Sequence, residues 1–135
     1  MAVGLVIVSH SARLAEGVVE LSGQMAHGNV RIIAAGGADD GSLGTSLTKV
    51  LEALEHADSG EGVVALVDMG SAALVTEMAI EQLPSESRQR VVMSNAPLVE
   101  GAVLAAVQAS IGSSLDDVRA TAESATNLEK ITKRT

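Results

Sequence analysis

The sequence has no phenylalanine, no tryptophan and no tyrosine. Its core must therefore be built from valine, leucine, isoleucine, alanine and methionine. Without rings there is nothing to stack on a sugar face or a base. That argues against a lectin-like surface and a single-strand nucleic-acid platform. Cysteine is also absent, which removes disulfides and thiolate chemistry and leaves the redox compartment unconstrained. Basic residues are scarce: nine lysines and arginines against 17 acids give a net charge of −8. A phosphate backbone needs a basic face, so nucleic acid is not an expected partner. Long apolar runs are missing too. The amino-terminal one is six residues, Leu5–Val8 with Ala2 and Val3 before it, and no basic segment leads into it. Neither a signal peptide nor a membrane span is expected, and a cytoplasmic protein is the default. Metal-ligand spacings are lacking as well: there is no His-x-x-x-His or Glu-x-x-His pair, and no metal is expected.

What is present is an alternation. The 135 residues suffice for one domain with its own core, read here as residues 1–135 with a loose tail from about 129. Val3–Val8 reads as a buried strand. A helical pattern follows from Ala12, with Leu14, Val18, Leu21 and Met25 as its apolar stripe, stopping near Gly23 or His27-Gly28. Val30–Ala34 is a second strand, running into a glycine-rich turn from Ala35 to Gly44. Thr45 or Ser46 can cap the next helix, which carries Leu47, Val50, Leu51 and Leu54. Val63–Val67 is a third strand, followed at Asp68-Met69-Gly70-Ser71 by a helix from about Ala72 to Leu83. Arg90–Met93 is a fourth. Two further helices follow, an alanine-rich one over Leu98–Ile111 and one capped by Ser114. Continuous apolar strands alternating with helices predict an α/β fold: an open, mainly parallel sheet of about four strands with helices on both faces. In such a sheet the loops after the strands share one edge, where ligands bind.

That edge receives Ser9-His10-Ser11, the Gly36–Gly44 turn and Asp68–Ser71. His27 and His56 fall near helix carboxyl ends, where exposure and the dipole account for them. His10 sits beside a helix amino end, which disfavours its charged form and favours a neutral, nucleophilic ring. Asp68 follows five apolar residues. It can cap the turn behind it, or it can accept the Nδ1 proton of His10, fix the tautomer and leave Nε2 bare. One histidine and one carboxylate, with no serine in the right context, do not make a hydrolase triad. The glycines allow backbone N–H groups to approach an anion. Neither G-x-x-x-x-G-K-[ST] nor a G-x-G-x-x-G after the first strand is present, and Lys49 comes too late for the former. A histidine that receives and passes on an electrophile fits this set, with phosphoryl the obvious group.

Four segments in order carry a family likeness: Val6–Ser11, Gly36-Gly37 with Gly44–Ser46, Val67–Ser71, and Asn95–Ala102. Together they resemble the mannose-type enzyme IIA superfamily of the bacterial sugar phosphotransferase system. The D-M-G-S-A turn and the P-L-V-E-G-A stretch resemble its dihydroxyacetone-kinase branch of phosphoryl-donor subunits. The resemblance implies that His10 takes phosphoryl from the phosphocarrier HPr. It implies transfer to ADP on the kinase's nucleotide-binding subunit, so that dihydroxyacetone is phosphorylated. Asp68 would orient the histidine. Ser11, Gly37, Met69, Gly70 and Ser71 would hold phosphoryl oxygens. The chain itself would bind no cofactor, with ADP or ATP and magnesium on the partner subunit. The resemblance further implies a homodimer, and separate HPr and enzyme I partners where longer members carry them fused. Glu100 in the P-L-V-E-G-A stretch is read as non-catalytic, with Gly101 and Ala102 permitting close packing.

Three other readings stand beside this one. A mannose-type IIA component of a sugar permease would use the same site and pass phosphoryl to a IIB domain. A small metal chelatase can also begin with a strand, a histidine and a small-residue turn, but it needs further ligands. A non-enzymatic interaction module is the last.

Overall fold

A computed structural model describes residues 2–132. Its four strands are β1 (Gly4–Ser9), β2 (Ile32–Gly36), β3 (Val63–Val67) and β4 (Val91–Ser94). They form one sheet in the order β2-β1-β3-β4, parallel throughout. The helices are α1 (Ala12–Gly23), α2 (Leu47–Ala57), α3 (Gly70–Glu81), the short α4 (Ser85–Arg88), α5 (Leu98–Ser110) and α6 (Leu115–Glu123), with a 3-10 turn at Ser124–Asn127. The fold is α/β, an open parallel sheet with helices on both faces.

Side chains of a strand alternate between faces. Leu5 and Ile7 of β1 therefore pack with Val18 of α1, the alanines of α5 and Val118 of α6. Val6 and Val8 pack on the opposite face with Val50 and Leu54 of α2 and Ala72 and Ala79 of α3. Strands covered on both sides have few polar positions, here the terminal Ser9 of β1 and Ser94 of β4, which is why each reads as a mostly apolar run.

Parallel neighbours need crossover connections. From β1 the chain leaves through α1 to β2 at one edge. It then returns through α2 to β3 on the other side of β1. The connections after β1 and β3 thus depart in opposite directions, opening a crevice at their carboxyl ends. Such switch points are where open α/β sheets hold ligands.

Hydropathy misplaces several boundaries because the backbone ladder sets them. Ser9 pairs with Gly36 in register, so β1 and β2 run on into small residues, and β2 spans Ile32–Gly36 instead of Val30–Ala34. α3 starts at Gly70, not Ala72. α4 and the 3-10 turn are four residues each, too short to show a period. Pattern reading also misassigns the inner face of α1. Leu14, Leu21 and Met25 are exposed; of the expected stripe Val18 is buried, and Ala15 and Ser22 complete the inner face. The helix lies too close to the sheet for large residues: a Cβ on Gly36 would come within 2.8 Å of Ala15 Cβ and 2.6 Å of the Ser11 carbonyl oxygen.

The P-L-V-E-G-A stretch has a packing explanation. A Cβ on Gly101 would come within 2.6 Å of Ala96 Cβ and 3.2 Å of Leu66 Cδ2, so α5 can seat on β3 only if this residue has no side chain. Gly101→Ala is expected to lower stability by about 1–3 kcal/mol, the usual cost of overpacking, read as a lower urea midpoint. An unchanged midpoint would show that α5 can shift freely. Glu100 pairs with Lys130, which ties down the start of the segment expected to be loose. Residues 133–135 of that segment lie outside the described residues.

Candidate active site

β1 delivers His10 and β3 delivers Asp68 to the switch point, 58 residues apart in sequence. His10 Nδ1 lies 2.9 Å from Asp68 Oδ1. An ionised carboxylate only accepts, so the shared proton resides on Nδ1 and Nε2 keeps its lone pair. The other carboxylate oxygen, Oδ2, accepts from the His10 backbone N–H at 2.9 Å and from the Ser9 hydroxyl at 2.9 Å. Asp68 is therefore spent on His10 and Ser9 and does not cap α3, whose N-cap Met69 makes no side-chain capping bond.

The side chains of His10 and Asp68 are 23% and 11% exposed, so the ring is reachable while the carboxylate is largely covered. Burial alone would raise the Asp68 carboxyl. The His10 N–H, the His10 ring and the Ser9 hydroxyl outweigh it and hold the group below the usual carboxylate range.

At the other ring nitrogen, Ser71 Oγ lies 2.5 Å from Nε2. With Nε2 unprotonated, the hydroxyl donates. The family likeness gives Ser71 a phosphate-facing role; its contact with Nε2, made across 61 residues from the first turn of α3, is a property of the folded chain that the sequence does not show. Its placement corrects the expectation that no serine stands in a triad position: Ser71, His10 and Asp68 are in line. Geometry alone thus admits a serine or a histidine nucleophile. Gly70 and Ser71 open α3, and no described residue accepts from their N–H groups. Oriented free donors at a helix start suit an anion.

The remaining expected residues take different places. Ser11 caps α1, its hydroxyl accepting from the Leu14 N–H at 3.1 Å, and its own N–H goes to Ser9 Oγ. The Gly37 N–H is donated to the Ser9 carbonyl at 3.1 Å, so Gly37 shapes the loop and offers no free donor. Gly44, read as plain loop, donates its N–H to the His10 carbonyl at 2.9 Å. Lys49 folds back to bond the carbonyls of Gly36 at 3.2 Å and Ala38 at 2.8 Å. It braces this loop, a role with no motif. His27 and His56 stand exposed at the ends of α1 and α2, away from the site. Among the described residues no helix is long and apolar enough to cross a membrane.

The chain is similar to known proteins over most of its length. The phosphoryl donor subunit DhaM of the PEP-dependent dihydroxyacetone kinase of Listeria innocua (kinase 2) is 36% identical over 116 residues, which cover 86% of this chain and 93% of that protein. The Escherichia coli K12 protein of the corresponding name is 45% identical over 119 residues, 86% of this chain. Those residues are 25% of its length, so the chain spans about a quarter of that relative. A crystal structure of a protein of unknown function superposes with a TM-score of 0.81 at 32% identity, covering 99% of this chain and 100% of that one. The profile described as "PTS system fructose IIA component" matches residues 4–119, the span that holds the whole sheet, His10, Asp68 and Ser71, and this chain belongs to that mannose-type EIIA family.

Proposed function

We propose that this chain is a phosphohistidine carrier serving a dihydroxyacetone kinase. The observation that carries the reading is the His10–Asp68 contact, with Nδ1 held at 2.9 Å from Oδ1 and Nε2 left on the exposed side of the ring beside Ser71 Oγ. In the first step the Nε2 lone pair attacks the phosphorus of phospho-HPr. The P–N bond to the HPr histidine breaks, and its electron pair returns to that nitrogen. The ring becomes cationic while it carries phosphoryl, and the Asp68 carboxylate on Nδ1 offsets that charge. Ser71 must turn away from Nε2, and its hydroxyl, with the N–H groups of Gly70 and Ser71, can then meet phosphoryl oxygens. In the second step a β-phosphate oxygen of ADP on the kinase's nucleotide-binding subunit attacks phosphorus, and the P–Nε2 bond breaks to regenerate the neutral ring. Nucleotide and magnesium belong to that subunit. Transfer of this kind needs positioning and charge stabilisation more than covalent help.

The names of the relatives favour the kinase subunit over a IIB domain as acceptor. The test begins with phosphoenolpyruvate, enzyme I and HPr. One phosphate per chain should be incorporated, labile in acid and stable in alkali, as a phosphoramidate is. An acid-stable phosphate would move the nucleophile to Ser71. The phosphoprotein is then mixed with the ADP-loaded kinase subunit and, separately, with a IIB domain. ATP formation in the first mixture is expected, and transfer only in the second would assign the chain to a sugar permease.

A further inference from the structure

Ser9 is the last residue of β1 and is wholly buried, although polar. Its hydroxyl has two partners. It accepts the Ser11 N–H at 3.0 Å and donates to Asp68 Oδ2 at 2.9 Å. A hydroxyl has one proton, and the Ser11 N–H occupies a lone pair, so the proton is directed at the carboxylate. Oδ2 accepts in addition from the His10 N–H. These two anchors do different things. The backbone donor alone fixes a point on the carboxylate but leaves its plane free to turn about the terminal torsion, which in aspartate is broad. The second donor fixes the plane and with it the position of Oδ1, the atom that faces His10 Nδ1.

We propose that Ser9 is a positioning residue. Its buried hydroxyl, aimed by the Ser11 N–H, locks the plane of the Asp68 carboxylate, so that Oδ1 keeps the proton on His10 Nδ1 and the lone pair stays on Nε2. The proposal rests on Nε2 as the atom that accepts phosphoryl. The chain of contacts runs from Ser11, the N-cap of α1, through Ser9 to Asp68 and back to the ring of His10; Ser9 is wholly buried, the Asp68 side chain is 11% exposed and Ser11 is half-buried. Groups that orient a functional histidine from behind typically cost about 10- to 100-fold in activity when removed.

The test uses the full chain, 15N-labelled at histidine, with Ser9→Ala and the near-isosteric, weaker donor Ser9→Cys. The ring nitrogen shifts of His10 report the tautomer directly. Wild type is expected to show the Nδ1–H form, Ser9→Ala a raised share of the Nε2–H form, and Ser9→Cys a value between them. Acceptance of phosphoryl from phospho-HPr should slow about tenfold in Ser9→Ala and less in Ser9→Cys. A folded Ser9→Ala with the wild-type tautomer ratio and rate would overturn the proposal. If Ser9→Ala does not fold, an unchanged tautomer ratio in Ser9→Cys overturns it equally. The tautomer measurement needs no partner protein, so it still judges Ser9 if His10 takes no phosphate and the carrier reading fails.

Discussion

Replacing His10 with alanine leaves a folded protein that takes no phosphate from phospho-HPr. Incorporation is expected to fall to background, a loss on the order of 10⁶-fold, the size that follows outright removal of a nucleophile. No substitute stands nearby. Ser71 is the adjacent hydroxyl, but its only base is the Nε2 that the substitution deletes. The side chain of His10 is 23% exposed, and without it the Asp68 carboxylate keeps two donors, the residue-10 N–H and the Ser9 hydroxyl. The fold should therefore survive, and a thermal melt near that of wild type checks it. A His10→Ala protein that still acquires phosphate, stable in acid and mapped to Ser71, would show that the serine is the nucleophile and does not need the histidine.

Asp68→Asn is expected to give the second-largest effect while keeping the shape of the site. An asparagine amide can donate to Nδ1. The ring then carries its proton on Nε2, the atom that must attack, and no carboxylate offsets the cation of the phosphorylated ring. Forcing the wrong tautomer in this way in a serine-protease triad costs about 10⁴ in rate, and a loss between 10² and 10⁴ is expected here. Single-turnover transfer from phospho-HPr measures it, and an unchanged rate would remove Asp68 from the mechanism. The same variant carries a stability signature. Asp68 is held below its ordinary value in the folded chain. Such a group contributes stability above its unfolded value, about 3.9, and that contribution is lost as pH falls through the lower folded value. The gap in urea stability between wild type and Asp68→Asn should thus be present at pH 7 and close below about pH 4. Asp58 follows the same sign, because bonds from Arg90 and Gly60 outweigh its burial. It is common to both proteins and cancels in the comparison.

The strands, their parallel arrangement and the meeting of His10 with Asp68 were legible because each rests on a strong local signal. An apolar run that stops at a polar residue places that residue at a strand's carboxyl end, and a parallel sheet brings those ends together. What stayed hidden depends on distances between elements. Nothing in the spacing of Leu14, Leu21 and Met25 shows that they face outward. The decisive fact is how closely α1 approaches Gly36, and only the packed fold fixes that. The likeness places Ser71 toward the phosphoryl group, but its contact with Nε2 depends on α3 starting at Gly70 and on β1 lying beside β3, which only the packed fold fixes. Ser9 lies within the Val6–Ser11 likeness but has no role there, and Lys49 matches no motif. One is a buried donor to a carboxylate and the other a brace for two loop carbonyls. Such supporting roles leave no pattern in a single sequence, since any serine or lysine of suitable position could fill them.

The phosphorylated protein, labelled with 15N at histidine and charged through enzyme I and HPr, offers the most direct measurement. Its phosphorus resonance should show coupling to a single ring nitrogen, Nε2 of His10, with a proton still on Nδ1. Coupling to Nδ1, or a phosphorus bound to oxygen with no nitrogen coupling, would contradict the account.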